Sequence, residues 1–195
     1  KKHLSKPYQE IWNELNGRSV YPVTTETKNS YQSISKARTF TPPSMDEGFV
    51  FAQLSKNLEN ACIKARRYRL AAARIIVFLR KQDFTSKGVE IKLSRPTAYP
   101  AELFGLLRQG FGQVFQSRTL YRQTGVVLSG LAAESGIQFG LFDDTTKIEK
   151  MARVYSVVDD ISAKNGKHTI QHAASLPTKL QAQHEGERGD VLRRA

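Results

Sequence analysis

At 195 residues the chain has room for one core of ordinary domain size with further segments attached to it. Thirty Lys and Arg against 18 Asp and Glu leave a formal charge of +12, a field that attracts polyphosphates, whether nucleic acid or an anionic membrane surface. Cys62 stands alone, which excludes an intrachain disulfide and a thiolate zinc site, and no apolar run approaches the about 18 residues of a membrane span.

The excess charge is uneven: 21 of the basic and 10 of the acidic residues precede Asp143, so the basic field belongs to the front portion. With no signal-peptide pattern at the start, the expected location is cytoplasmic. A start at Lys1 rather than Met is read as a piece of a longer chain.

In chain order, KPYQEIWNELNG places Ile11, Trp12 and Leu15 at helical spacing and Gly17 where a C-terminal cap belongs, which predicts a short helix. The stretch RSVYPVTTETKNSY lacks that period, carries Pro22, and is expected to be an extended linker. QSISKARTF is a strand, ended by Pro42 and Pro43. A helix follows, opened by a capping box of Ser44 and Glu47, with Phe51, Leu54, Leu58, Cys62 and Ala65 on one face.

AAARIIVFLRKQDF alternates Ile75, Val77 and Leu79 with Arg74, Ile76, Phe78 and Arg80. SKGVEIKLSR alternates Val89, Ile91 and Leu93 with Glu90, Lys92 and Ser94, and the intervening TSKG predicts a hairpin turn. A helix starting at Pro100 carries Leu103, Leu106, Leu107, Gly110 and Val114 on one stripe, and LYRQTGVVLSGL is a last strand. The order β-α-β-β-α-β with short connections predicts an α+β fold: a four-stranded antiparallel sheet with both helices on one face and the other face open to a ligand.

After the last strand, SGIQFGLFDD sets Gln138, Leu141 and Phe142 on a run broken by Gly136 and Gly140, each costing about 1 kcal/mol in a helix interior. Either an exposed peptide seeking a partner's pocket or a final strand on the chain's own core satisfies that pattern. Next comes a helical tail, IEKMARVYSVVDDISAKNG, with Ile148, Met151, Val154, Val158 and Ile161 as a stripe that needs a covering surface and Gly166 at its end. Asp143–Asp144 and Asp159–Asp160 are expected to face solvent, GKHTIQH to be a strand, and the residues beyond Pro177 to be disordered in isolation.

Period-2 counting puts Arg74, Arg80 and Lys92 on the open face, with Lys36, Arg38, Lys81, Lys87 and Arg95 near its strand ends and edges. Ser33, Ser35 and Thr39 add hydroxyls. This composition suits phosphate contacts, which hold a backbone and carry little base specificity.

Taken in order, these segments resemble the C-terminal little-finger region of the Y-family lesion-bypass DNA polymerases, in the UmuC-like and DinB-like branch. QSISKARTF resembles that family's first little-finger strand, AAARIIVFLRKQDF its second and YRQTGVVLSGL its last. IWNELNGRSVYPV is similar to the end of the thumb and its tether, and IQFGLFDD and VVDDISAKNGKHTI to the carboxy-terminal segment of the UmuC-like branch. Together they run from about Pro7 to about Leu176.

The resemblance implies a thumb end at 1–17, a linker at 18–30, a little finger at 31–132, a clamp-binding peptide at 133–144, and a C-terminal helix and tail at 145–195. It further implies a DNA-binding fragment of a translesion polymerase, gripping the primer–template backbone without sequence preference and docking on the sliding clamp. QFGLF is similar to the pentapeptide that docks there, with Gln138 supplying amide hydrogen bonds, Leu141 and Phe142 as anchors, and Phe139 in place of the commoner Leu. Lys36 stands where the family usually has Arg, and Phe78 where it more often has a polar or basic residue.

The implied parent performs two-metal phosphoryl transfer with Mg²⁺ on a carboxylate cluster; this fragment is expected to hold no catalytic residue, metal or cofactor and to be inactive alone. An accessory subunit on the tail helix is a further implied partner. Two other readings fit the strand order. An RNA-binding module would need a pair of stacking aromatics where only Phe78 stands, and a partner-recruiting adaptor would have no polymerase role. A metal site on His168 and His172 lacks an acidic third ligand close by.

Overall fold

The computed structural model describes residues 5–22, 25, 31–136, 140 and 143–178. The chain divides into two compact units, Lys1–Ser30 and Tyr31–Ala195.

In the first unit, helix α1 (Lys6–Leu15) starts at a proline in its first turn and ends at Gly17, whose φ of 73° only glycine adopts freely. The Gly17 and Arg18 N–H groups return to the Glu14 and Asn13 carbonyls, closing a Schellman cap. Val20 and Tyr21, in the first part of the expected linker, turn back to the helix. Glu14 accepts from the N–H groups of Val20 and Tyr21 at 2.7 and 3.2 Å, and the Tyr21 hydroxyl donates to Glu10 at 2.7 Å. An i+6 carboxylate positioned to take two backbone donors is what bends this stretch back along the helix.

The second unit follows the expected order: β1 (Ser33–Ser44), α2 (Glu47–Arg67), β2 (Leu70–Lys81), β3 (Ser86–Thr97), α3 (Pro100–Val114), β4 (Tyr121–Ala133) and α4 (Thr145–Asn165). The sheet runs β1-β4-β2-β3, every neighbour antiparallel, with α2 over β1 and β4 and α3 over β2 and β3. Ile34, Ile75, Val77, Leu79, Val126 and Leu128 meet the α2 and α3 stripes in one core. Phe51, Leu54, Leu58, Cys62 and Ala65 are all buried, as the helical period predicts, and burial pushes the Cys62 thiol up to about 12, leaving it inert. Phe111 joins the Leu103, Leu107, Gly110 and Val114 stripe. A Cβ on Gly110 would lie 3.1 Å from Ile91 and 3.2 Å from Val77, so α3 sits directly on the strands there. The buried Asn57 amide donates to the Thr124 carbonyl and hydroxyl at 3.0 and 2.9 Å, tying α2 to the middle of β4.

Three local expectations need correction. Helix α2 is capped by Asp46, which accepts from Phe49 N–H at 2.5 Å, while Ser44 takes the Asp46 N–H; the capping box is not used. The β2–β3 turn is Gln82–Thr85, where Asp83 accepts from the Thr85 N–H and hydroxyl and Phe84 takes a φ of 70°, so Ser86–Gly88 lies within β3. Strand β1 continues through Pro42 and Pro43 to Ser44. It is an edge strand paired only with β4, where a missing N–H is tolerated.

The tail folds back over the helices. Arg66 of α2 donates to both Asp159 oxygens at 2.7 and 2.6 Å and to the Ala98 carbonyl at 3.0 Å, so Asp159 is paired rather than left to solvent. Tyr155 is buried, stacks on Tyr99 at 5.4 Å, and its hydroxyl accepts the Ala101 N–H at 3.2 Å. Past Gly166 the chain turns irregularly, not as a strand, and reaches Glu59 of α2. The Glu59 carboxylate, 4% exposed, accepts from the His172 N–H and the Ser175 hydroxyl, both at 2.9 Å, with His168 Nδ1 at 3.3 Å. His172 itself meets the Tyr155 hydroxyl at 2.8 Å, and burial lowers its pKa, keeping the ring neutral. The two histidines therefore lock the tail; among the described residues no three His, Cys, Asp or Glu side chains gather to hold a metal.

One position of the sheet is set by sterics alone. Phe78 lies flat over Gly125 of β4, where a Cβ would be 2.1 Å from the ring. Gly125→Val is therefore expected to lower stability by about 1–3 kcal/mol in a denaturant melt, with Phe78→Ala restoring part of the loss. Equal stability of the glycine variant and the parent would show that the ring is not held there.

Candidate nucleic-acid interface

The uncovered side of the sheet is fixed by register. Ile75↔Leu128 and Val77↔Val126 are core pairs, so the alternate pairs Arg74↔Ser129, Ile76↔Val127, Phe78↔Gly125 and Arg80↔Gln123 share the open face. On β3 the same register adds Ser86, Gly88, Glu90 and Lys92, and on β1 it adds Ser33, Ser35, Ala37 and Thr39.

The resulting surface has three parts. A hydroxyl band on edge strand β1, Ser33, Ser35 and Thr39, is exposed. An apolar band of Ile76, Phe78 and Val127 runs down the middle, half-buried because the ring rests on Gly125 instead of standing up. Cations close the apolar band at both ends of β2, Arg74 beside Lys92 of β3 at one end and Arg80 beside Ser86 at the other. Arg74 reaches Glu90 at 3.7 Å with both side chains about half exposed, a contact that solvent weakens, and the Arg80 Nε–H donates to the Ser86 hydroxyl at 3.0 Å. The Ser129 hydroxyl, on the same face, has no hydrogen-bond partner among the described residues.

Four of the basic residues read as edge contacts sit elsewhere. Lys36 and Arg38 pair with Val126 and Thr124, both buried core positions, and so point to the helix side of β1. Lys87 likewise faces α3, donating to the Gln113 carbonyl at 2.8 Å where the helix leaves carbonyls unpaired. Arg95 is part-buried, bonded to Glu102 at 2.6 Å with Asp143 at 4.0 Å, and Glu102 also takes the Thr97 hydroxyl. That network anchors the start of α3. Lys81 lies at the end of β2, beyond a shift in register with β4. Gln138, Leu141 and Phe142 fall outside the described residues; the described flanks are the turn Glu134–Gly136 and Asp143, which accepts the Gly140 N–H at 2.7 Å.

Chemically, the open face offers an extended polyanion hydroxyl donors along β1 and guanidinium or ammonium groups at both ends of its apolar strip. It lacks the raised pair of aromatics that base stacking demands, since Phe78 lies down. Sequence reading missed Gly125, whose role appears only once β4 is paired with β2. It also missed Lys64, Arg67 and Lys167, which the fold brings next to Lys36 on the other side.

Comparison with known proteins places these features. The impB/mucB/samB family C-terminal domain matches residues 31–141. Among solved structures, the chain is similar to an insertion ternary complex of Dbh DNA polymerase, at 14% identity and a TM-score of 0.46, over 65% of this chain and 36% of that one. It is also similar to the little finger domain of PolIV in a complex with the beta-clamp processivity factor, at 18% identity and a TM-score of 0.44, over 57% of this chain and 99% of that one. A third similar structure is DinB from Sulfolobus solfataricus, at 15% identity and a TM-score of 0.44, over 50% of this chain and 28% of that one. The chain thus spans about a third of the length of the Dbh and DinB polymerases.

Proposed function

Because the chain belongs to the impB/mucB/samB family through the C-terminal domain at residues 31–141, we propose that it is the DNA-holding portion of a lesion-bypass DNA polymerase. Its sheet lies along primer–template DNA and grips the backbone. Gln138, Leu141 and Phe142 dock on a sliding clamp, and the protein works in the cytoplasm at the nucleoid. The observation that carries this reading is the open face, where hydroxyls of β1 run beside an apolar strip that has cations at both ends and no upright aromatic pair. Such a surface suits phosphates and not bases, which favours duplex backbone over the single-stranded RNA that a module of the same strand order takes.

The reading assigns nucleotidyl transfer and its Mg²⁺ to polymerase residues other than those described. With no metal-holding cluster among the latter, no catalytic step is derived from this chain. Under the same reading an accessory subunit docks on the outer side of α4, where Val154 and Val157 are exposed.

Titration of labelled primer–template duplexes of unlike sequence tests the proposal. Three phosphates neutralised by Arg74, Arg80 and Lys92 predict a slope of log affinity against log salt of about −3, equal for each sequence. Arg74→Ala/Lys92→Ala is expected to flatten that slope by about 2. Binding that ignores salt, or that follows base sequence, would rule out a backbone grip.

A further inference from the structure

On the side of β1 away from the open face, four cations share one cavity of about 210 Å³. Lys36 enters it from the strand, Lys64 and Arg67 from the last turn of α2, and Lys167 from the segment after α4, with Asn60 and Tyr68 completing the wall. None of the four cations forms an ion pair among the described residues. Glu59, the acidic residue next in sequence to Asn60, is engaged by the tail instead.

Two ordinary explanations leave most of this charge unexplained. Basic residues in the last turn of a helix complement its dipole, but that end carries only about half a negative charge. Arg66, in the same turn, already stands there with a carboxylate of its own. Lys64 also lies 4.4 Å from the Tyr31 ring centroid, a contact that accounts for one cation of the four. Burial, then the nearby Lys64, Lys167 and Arg67, lower the pKa of Lys36, so the four cations repel one another.

We propose that this cavity is a phosphate site distinct from the sheet's open face, holding one phosphate group of either a nucleic-acid strand that rounds the β1 edge or a free polyphosphate. A free polyphosphate brings two or more charges to the four cations, and a strand brings one charge per phosphodiester in a succession of groups along the β1 edge, whereas one carboxylate neutralises a single cation. The edge position favours this geometry: β1 presents hydroxyls on one face and Lys36 with Arg38 on the other, so one strand is able to touch both. Lys167 lies outside the matched residues 31–141, so the completed basket depends on the tail of this chain. The proposal uses none of the open-face cations and stands or falls separately from the backbone grip.

Inorganic pyrophosphate and a short single-stranded oligonucleotide, titrated into the whole chain by calorimetry, test it. The variants are Lys64→Gln/Arg67→Gln, Lys167→Gln, and Arg74→Gln/Lys92→Gln as the open-face control, each checked by thermal melting. Pyrophosphate is expected to bind the parent and to lose about tenfold in affinity in the first variant and about threefold in the second, with no change in the control. A parallel loss for the oligonucleotide assigns the phosphate to a strand, and an unchanged oligonucleotide affinity assigns it to a free polyphosphate. Absence of pyrophosphate binding, equal losses of pyrophosphate affinity in cavity and open-face variants, or preference for a poly-glutamate peptide over pyrophosphate would each overturn the site. Should the double variant melt early, Lys167→Gln alone decides, since it lies outside the sheet and its two covering helices.

Discussion

Asp159→Ala is expected to loosen the tail helix on the domain and to lower stability by about 1–3 kcal/mol. Arg66 is 8% exposed and has spent its donors on Asp159 and the Ala98 carbonyl, with its guanidinium 4.7 Å from the Tyr155 ring centroid. Removing one partner of a fully buried pair costs about 3–5 kcal/mol because the other charge is left without compensation. Asp159 is 35% exposed, so water reaches the stranded guanidinium and the cost falls toward the lower figure. The remaining clasp, Tyr155 on Tyr99 and the Glu59 contacts, should keep the tail attached, and the core of the sheet and its two helices does not depend on it.

Limited proteolysis is therefore expected to cut within Thr145–Asn165 long before it cuts the sheet, and the melting temperature should drop. Arg66→Met/Asp159→Leu, which removes both charges and keeps apolar bulk, should recover most of the loss. A single Asp159→Ala variant as stable and as protease-resistant as the parent would show that this bridge does not hold the tail.

Much of the sheet was legible because alternation survives burial. Val89, Ile91 and Leu93 alternate with charged neighbours, and α2 carries an unbroken apolar stripe, so period alone identified both. The face of β1 was legible too, but through a signal that was passed over: Ile34 and Phe40 are six residues apart and both buried, so Lys36 and Arg38 share their face. The end of β1 was less legible, because an edge strand accepts proline and β1 runs on to Ser44. The turn before β3 was misplaced for a related reason. Gly88 marks the place where Phe78 crosses from β2, a Cβ there standing 3.1 Å from the Phe78 Cβ, and not a loop. The tail contacts were beyond reach of local pattern. Arg66 and Asp159 lie 93 residues apart, Glu59 and His172 113, and each residue alone is ordinary surface composition.

Leu141→Ala/Phe142→Ala is expected to abolish sliding-clamp binding while leaving the melting temperature and the salt-dependent DNA affinity near those of the parent. The two described flanks make this separable. Strand β4 ends at Ala133 and α4 begins at Thr145 with its own Asp144 cap, so neither element relies on the intervening side chains for its hydrogen bonds. In a docking peptide Leu and Phe bury their apolar area only in the complex, each contributing about 1.5–3 kcal/mol. Their joint loss of about 3–6 kcal/mol carries a micromolar contact to between about 0.2 mM and tens of millimolar, too weak for a pull-down to retain. Were the same side chains packed into the domain's own core, truncating them would instead cost about 2–5 kcal/mol of stability apiece. A melt and a clamp titration on one double variant thus divide the readings. A folded variant that no longer binds supports the docking peptide, an unfolded one assigns both residues to the core, and a folded one that still binds places the clamp contact elsewhere on the chain.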